Sequence, residues 1–404
     1  MLQTIVIVGA GLAGLTAADT LRMQGYDGRL IVINGERELP YERPPLSKEF
    51  LHGTRSMDNI RLRGPKYFSQ TNIDLMPKMA VKLDLRSRQV SLSSGGRVQF
   101  DRILICAGAS ARPCPLINAG NVPVHYLRTA GDAGILKDKI KAGARIALIG
   151  GGYISLEIAA TAAKLGCEVT ILVAQRSILS RVRVPSLVSY LTEKHRSAGV
   201  HFHFGCKIES ILTSSSGANI RLSDANPIDA DFVVAGIGAV PNVSLALLAG
   251  LKVANGIRVD QKMRTSADNV YAAGDIAEYW NGIHRRLLRV ESWQNAERQG
   301  RVAASTMLGA STSYCETPWF WTDQYDCNVQ ILGAPARWNR EVVRGDLNSE
   351  RFSTFLLDDG KIVGASFVND GRNVRPTRLA IDKGQMANAD VLADASAPIA
   401  TAFR

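Results

Sequence analysis

Short runs of consecutive apolar residues, each broken by glycines and followed by a helical period, recur along the chain. The first is Thr4 to Gly14, TIVIVGAGLAG, in which Ile5 to Val8 are uniformly apolar and Gly9, Gly11 and Gly14 follow at G-x-G-x-x-G spacing. The run predicts a parallel strand buried on both faces that turns into a helix. The helix is expected from about Leu12 to Gln24, ended by Gly25, with a second strand from Leu30 to Asn34. Arg145 opens a second copy, RIALIGGGYISLEIAATAAKLGCEVTIL: strand, glycine turn, helix, and a strand ending at Val173. Between the copies, alternation from Val81 to Phe100 around the Ser93 to Gly96 turn predicts a β-meander, and Arg102 to Pro113 a returning strand. After them, DFVVAGIGAVPN (Asp231 to Asn242) and DNVYAAGDIAEY (Asp268 to Tyr279) each carry an apolar strand to glycines. VQILG, EVVRGDL, RFSTFLLDDGKIVGASFVND and a helical LAIDKGQMANADVLAD then predict a β-sheet with helices.

The glycines have separate tasks. Gly9 allows the tight turn, Gly11 lets a pyrophosphate approach the backbone, and Gly14 lets helix and strand pack closely. A phosphate then sits on free N–H groups at the helix start. One such turn is weak evidence, because glycine turns after strands also occur without a ligand. Two in one chain imply two dinucleotides, one held and one exchanging, and are the strongest physical sign of an oxidoreductase. In the second copy Gly150 and Gly152 make the turn, but the third position is Ser155, which fits less closely than glycine and is expected to set the helix slightly farther out. An acidic residue ~20 positions beyond the glycines holds adenosine ribose hydroxyls in such sites. Asn34 has no carboxylate, so Glu36 is the candidate in the first copy. In the second, Val173 neither holds ribose hydroxyls nor repels a 2′-phosphate, and Gln175 and Arg176 follow, the arginine suited to bidentate phosphate binding. Glu157 is placed in the first turn of its helix, where the macrodipole alone is sufficient reason for a carboxylate.

Composition narrows the class. A chain of 404 residues exceeds what one core usually organises, and 46% hydrophobic with 21% charged residues is ordinary for a globular protein. No run approaches ~18 consecutive apolar residues. A cytoplasmic location without membrane attachment is the expectation. Six scattered cysteines show neither C-x-x-C nor C-x-x-x-x-C spacing, which disfavours a zinc site and a redox dithiol. A metal site from His201 and His203 alone is improbable, and satisfied strand histidines are the better reading. The net charge of +11 would attract nucleic acid, anionic membrane or an acidic protein, yet the arginines are dispersed and no nucleic-acid motif is present. An acidic protein partner is the economical reading, with a generally basic surface the plain alternative.

The stretch PYERPPLSKEFL, Pro40 to Leu51, carries two adjacent prolines, with Ser47 placed to cap the following helix. On spacing alone it reads as a surface turn with solvated charges. With R-P-P-L-S-K and the two nucleotide folds, however, the chain resembles the FAD-dependent ferredoxin reductases of bacterial oxygenase systems, such as those of biphenyl and toluene dioxygenases and putidaredoxin reductase. The resemblance implies Arg43 near the FAD pyrophosphate, Lys48 near the reactive edge of the isoalloxazine, and Glu157 facing the nicotinamide and pairing with Lys48. Glutathione-reductase-like relatives carry redox cysteines in the flavin-contacting segment; here the first cysteine is Cys106. Where the family has Ala-Thr-Gly this chain has Cys106, Ala107 and Gly108, leaving Gly108, with Arg112, as implied FAD contacts. Gly236 and Gly238 match the family's linking segment. Gly274 and Asp275 match a signature whose carboxylate bonds a ribityl hydroxyl. The helix beginning around Trp293 would direct its N-terminal dipole at the flavin pyrimidine edge. P-W-x-W, Pro318 to Trp321, makes Trp321 the aromatic candidate, although two tryptophans and Phe320 so close together are core-like by default.

The expected fold class is α/β: two doubly wound dinucleotide-binding domains of glutathione-reductase type plus a small C-terminal α+β domain. Boundaries are placed at 1–109 and 241–317 for a discontinuous FAD domain, 110–240 for an NAD(P) domain and 318–404 for the last. The resemblance implies hydride transfer from NADH, with NADPH permitted by the local chemistry, to FAD. Single electrons then pass to a small acidic [2Fe-2S] ferredoxin that feeds an aromatic-ring-hydroxylating dioxygenase or a cytochrome P450. The alternatives are a reductase for rubredoxin, monodehydroascorbate or a quinone, and a non-enzymatic redox-sensing flavoprotein of the apoptosis-inducing type.

Overall fold

The computed structural model describes residues 2–115, 124–214 and 217–404. The chain folds into two compact units, the first formed by Met1–Glu42, Asp58–Ser110 and Val240–Phe320, the second by Arg43–Met57, Ala111–Ala239 and Trp321–Arg404.

In the first unit, β1 (Thr4–Val8) is followed by α1 (Leu12–Met23) and β2 (Arg29–Ile33). Gln24 caps α1, and Gly25, at φ +81°, takes the left-handed turn that ends it, as the sequence pattern predicts. The sheet is five-stranded and parallel, in the order Val270–Ala272, Arg102–Ile105, β1, β2, Ile73–Met76. Ile5, Val6 and Ile7 are wholly buried, which is why β1 shows no alternation. The meander forms as three antiparallel strands, Ala80–Asp84, Gln89–Leu92 and Arg97–Gln99. Helix Trp293–Met307 packs so closely on α1 that a Cβ at Gly300 would lie 2.3 Å from the Ala13 carbonyl oxygen.

The second unit repeats the plan with β3 (Arg145–Ile149), α2 (Tyr153–Lys164) and β4 (Glu168–Val173). Its parallel sheet runs His201–Phe204, β4, β3, Phe232–Ala235, Val124–His125. The correspondence extends to single bonds: Gly9 N–H donates to Ile33 and Gly150 N–H to Leu172, each at 2.8 Å. The same unit carries a five-stranded sheet that begins with β5 (Trp319–Gln324) and holds Cys327–Leu332, Lys361–Val368, Phe352–Asp358 and Arg340–Gly345, with helices Val374–Lys383 and Ala389–Ala393. The fold is thus α/β with two doubly wound dinucleotide folds and a small C-terminal α+β domain.

Arg344 secures the end of that domain. It is 6% exposed, and its guanidinium donates to the carbonyls of Val391, Leu392, Asp394, Ala395 and Ala397. Methionine matches its stem but supplies no donors. Arg344→Met should therefore cost about 3 kcal/mol, read as a lower urea midpoint, because five carbonyls lose a buried, charged partner together. An unchanged midpoint would contradict this role.

Candidate functional site

The first glycine turn is built from backbone constraints. Gly9 has φ +105°, and a Cβ there would lie 2.3 Å from the Cys106 carbonyl oxygen; one at Gly14 would lie 2.0 Å from the Gly9 oxygen. A Cβ at Gly11 would meet nothing within 4 Å. Gly9 and Gly14 therefore serve the fold, whereas Gly11 keeps open the approach to the start of α1. No side chain caps that helix, so its first-turn N–H groups face the same opening. Just past β2, Glu36 accepts from the Tyr41 hydroxyl at 2.5 Å. Gly108 lies at φ +64°, and Gly274, at φ +83°, donates its N–H to Gln299 Oε1 at 2.9 Å. The Gln299 Nε2 donor is buried and has no hydrogen-bond partner among the described residues. Asp275 is partly exposed, and Trp293 is the first residue of its helix, capped by Ser292. The open position at Gly11, the uncapped helix and the orphaned Gln299 donor fit a dinucleotide such as FAD.

The second turn matches the first. Gly150 has φ +104° and would place a Cβ 2.5 Å from the Gly236 oxygen, while a Cβ at Gly152 would find only that oxygen, at 3.7 Å. Helix α2 also lacks a side-chain cap. Ser155 is accommodated by a second glycine: a Cβ at Gly236 would lie 2.1 Å from the Ser155 hydroxyl oxygen. The pair exchanges bulk, so the serine takes the space that a side chain at 236 would fill. Val173 ends β4 buried, and Gln175 and Arg176 beyond it are exposed. Gly238, at φ +105°, accepts the Arg112 N–H at 2.9 Å, and the Arg112 side chain is exposed.

Glu157 is the fifth residue of α2, in its second turn, and is 4% exposed. The first-turn placement expected from the sequence is corrected, and the helix dipole does not account for this carboxylate. Its partners do. Oε2 accepts from the Ser47 hydroxyl, Oε1 accepts from Thr322 Oγ1 at 2.6 Å, and Lys48 Nζ lies 3.3 Å from Oε1. Lys48 also lies 3.3 Å from Asp323 Oδ2 and 5.9 Å from the Trp321 ring centroid. Burial holds the Glu157 carboxyl above the usual carboxylate range, opposed first by Lys48 and then by the two hydroxyls. Ser47 is not a helix cap; Lys48 occupies that position, and the Ser47 carbonyl accepts from Thr161 at 2.9 Å. The R-P-P-L-S-K segment is therefore pinned to α2, with Arg43 donating to the Arg128 carbonyl at 2.5 Å.

Sequence reading missed Ser47 as a partner, and Thr322 and Asp323 altogether. The signal was present in β5, where alternation puts Thr322 and Gln324 on a buried face and Trp319, Trp321 and Asp323 on the other. None of those three is fully buried, so the core-like reading of the tryptophans is corrected. All six cysteines are free, and the Cys106 thiol, whose backbone borders the first turn, is pushed far up by burial and stays protonated.

Residues 3–300 match the family described as pyridine nucleotide-disulphide oxidoreductase, and residues 319–403 match the reductase C-terminal family. The ferredoxin–NAD(+) reductase component of the anthranilate 1,2-dioxygenase system of Burkholderia cepacia is 39% identical over 401 residues, covering 98% of each chain. Putidaredoxin reductase of Pseudomonas putida is 34% identical over 404 residues, covering 98% of this chain and 96% of its own. The solved covalent putidaredoxin reductase–putidaredoxin complex matches with TM-score 0.94 and 32% identity, covering 98% of this chain and 97% of that one. With two nucleotide turns, no cysteine pair and a matching C-terminal domain, the chain belongs to the pyridine nucleotide-disulphide oxidoreductase family, in its ferredoxin reductase branch, and is an oxidoreductase.

Proposed function

We propose that this protein takes hydride from NAD(P)H, NADH first, and delivers single electrons to a small acidic [2Fe-2S] ferredoxin serving an oxygenase. The observation that carries this reading is the duplicated glycine turn, with space kept open at Gly11 and at Gly152. Gly9, Gly11, Gly14, Glu36, Gly274, Asp275 and Trp293 would hold FAD, and Gly150, Gly152, Gln175, Arg176 and Gly238 the pyridine nucleotide. FAD, when bound, supplies the conversion of one hydride into two single electrons. The chain's own contribution is positioning and charge. Lys48 and Glu157 form a nearly neutral pair screened from water, and with Trp321 they are proposed to face the reacting rings.

The ferredoxin partner is supported by the relatives' names and by the net charge of +11. Charge steering acts at encounter and is screened over about 10 Å at 0.1 M salt. Turnover with ferredoxin should therefore fall as ionic strength rises, while reduction of a neutral dye by the same protein stays level. A ferredoxin rate independent of salt would remove the steering claim. Parallel assays with a [2Fe-2S] ferredoxin, rubredoxin, monodehydroascorbate and a quinone test the acceptor. Faster turnover with any of the last three would replace the ferredoxin reading, and slow turnover with all would favour a partner-binding flavoprotein.

A further inference from the structure

The carboxylate of Glu157 is the end of a longer polar chain within the second unit. Thr322 Oγ1 donates to Glu157 Oε1 at 2.6 Å and accepts from Gln324 Nε2 at 3.1 Å. Gln324 Oε1 lies 2.9 Å from His195 Nε2, and His195 Nδ1 lies 2.9 Å from the Tyr325 hydroxyl. Thr322, Gln324 and His195 are at most 1% exposed, so bulk water is not a substitute partner for any of them. Apolar residues of similar size would fill this space without the desolvation cost.

Only one arrangement of hydrogens satisfies every member while Glu157 is ionised. A carboxylate accepts only, so the single hydroxyl hydrogen of Thr322 goes to Glu157. Thr322 must then accept, which turns the amide nitrogen of Gln324 toward it and the amide oxygen toward His195. The Nε2 of His195 must carry the proton, and the bare Nδ1 accepts from Tyr325. Reversing any link sets two acceptors face to face in a buried site. Burial holds the His195 imidazole down to about 4, so the ring is neutral at physiological pH and its tautomer is the variable.

We propose that Thr322, Gln324 and His195 are positioning residues, a hydrogen-bond chain of fixed direction that locks the Thr322 hydroxyl as a donor to Glu157. The proposal rests on the reading of Glu157 as part of the hydride-transfer site. Glu157 faces Lys48, beyond which stands Asp323, and Tyr153 one turn earlier on α2, whose phenol is raised by burial and by Glu157. At the other end stands Tyr325, with Lys164 Nζ donating to its carbonyl at 2.6 Å and lying 6.0 Å from its ring centroid, while Lys194, adjacent in sequence to His195, pairs with Asp326 at 2.7 Å and with Glu350 at 3.0 Å.

Two readouts on the FAD-containing protein test the chain without relying on turnover. Nitrogen-15 spectra of histidine-labelled protein, which has six histidines, should show His195 as the neutral tautomer protonated on Nε2. Infrared titration of the Glu157 carboxyl should shift upward by about one pH unit in Thr322→Val, which removes one donor to the charged form, and return in Thr322→Ser. Gln324→Met should shift it in the same direction and leave the Nε2 proton without its acceptor, moving the His195 signals. In all three variants the acid limb of flavin reduction by NADH should move with the infrared midpoint. A His195 protonated on Nδ1 in the wild type would overturn the proposal even if Thr322→Val does not fold, and so would a Thr322→Val titration equal to wild type. If NADH fails to reduce the wild-type flavin, the hydride-transfer reading falls, while both spectra still decide the chain.

Discussion

Gly11→Val protein should purify folded but colourless. A Cβ at Gly11 would meet no heavy atom of the described residues within 4 Å beyond its own chain neighbours, and the backbone at Gly11, φ −65° and ψ −177°, is one that valine adopts. Stability should therefore change by no more than about 1 kcal/mol, the scale of an N-cap substitution. FAD affinity should fall on the order of 100-fold or more, at least about 2.7 kcal/mol, because the branched side chain fills the approach to the α1 N–H groups. Gly14→Val should behave differently, since its Cβ would lie 2.0 Å from the Gly9 oxygen, and should fail to fold. Gly152→Val carries the same logic to the second turn: yellow protein with FAD retained that pyridine nucleotides no longer reduce. Absorbance spectra and thermal melts separate the three outcomes. A yellow Gly11→Val with wild-type FAD content would show that the first turn is not the flavin site.

Lys48→Met should lower both activity and stability, with a pH dependence of known sign. The Glu157 carboxyl is raised above its unfolded value, chiefly by burial. Its contribution to stability is thus fully present below the unfolded value and is lost as pH rises through the folded one. Lys48 opposes that loss by favouring the ionised form. Without it the folded value rises further, and at alkaline pH a buried carboxylate keeps only the Ser47 and Thr322 hydroxyls. Lys48→Met should be about 3 kcal/mol less stable than wild type at alkaline pH, and the gap should close in acid, where both proteins carry a neutral carboxyl. The double variant Lys48→Met with Glu157→Gln should recover most of the stability but not the rate of flavin reduction, which should stay down about 100-fold. A stability loss independent of pH would assign Lys48 to packing.

The repeated strand, glycine turn and helix were legible because local rules dictate them: an unbroken apolar run, glycines at the two conformationally forced positions, and a helical period ending at Gly25. The environment of Glu157 was not legible. Its hydroxyl partners lie 110 and 165 positions away along the chain, and nothing in the spacing around 157 points to either. Ser47 illustrates the cost of local reasoning, since a serine before a helix fits a cap as well as it fits a distant carboxylate. Ser155 was read in isolation as a poorer fit, while the residue that accommodates it, Gly236, lies just past the end of the distant strand Phe232–Ala235. The polar face of β5 was visible as alternation, but Thr322 and Gln324 acquire meaning only once His195 and Glu157 are brought against them.

The most direct test of the account is anaerobic stopped-flow mixing of the FAD-containing protein with NADH and, separately, with NADPH, following loss of flavin absorbance. The account predicts rapid bleaching by NADH, with slower bleaching by NADPH through Arg176. Faster bleaching by NADPH would reverse the nucleotide preference and leave the rest in place. No bleaching by either nucleotide would contradict hydride transfer and, with it, the central claim.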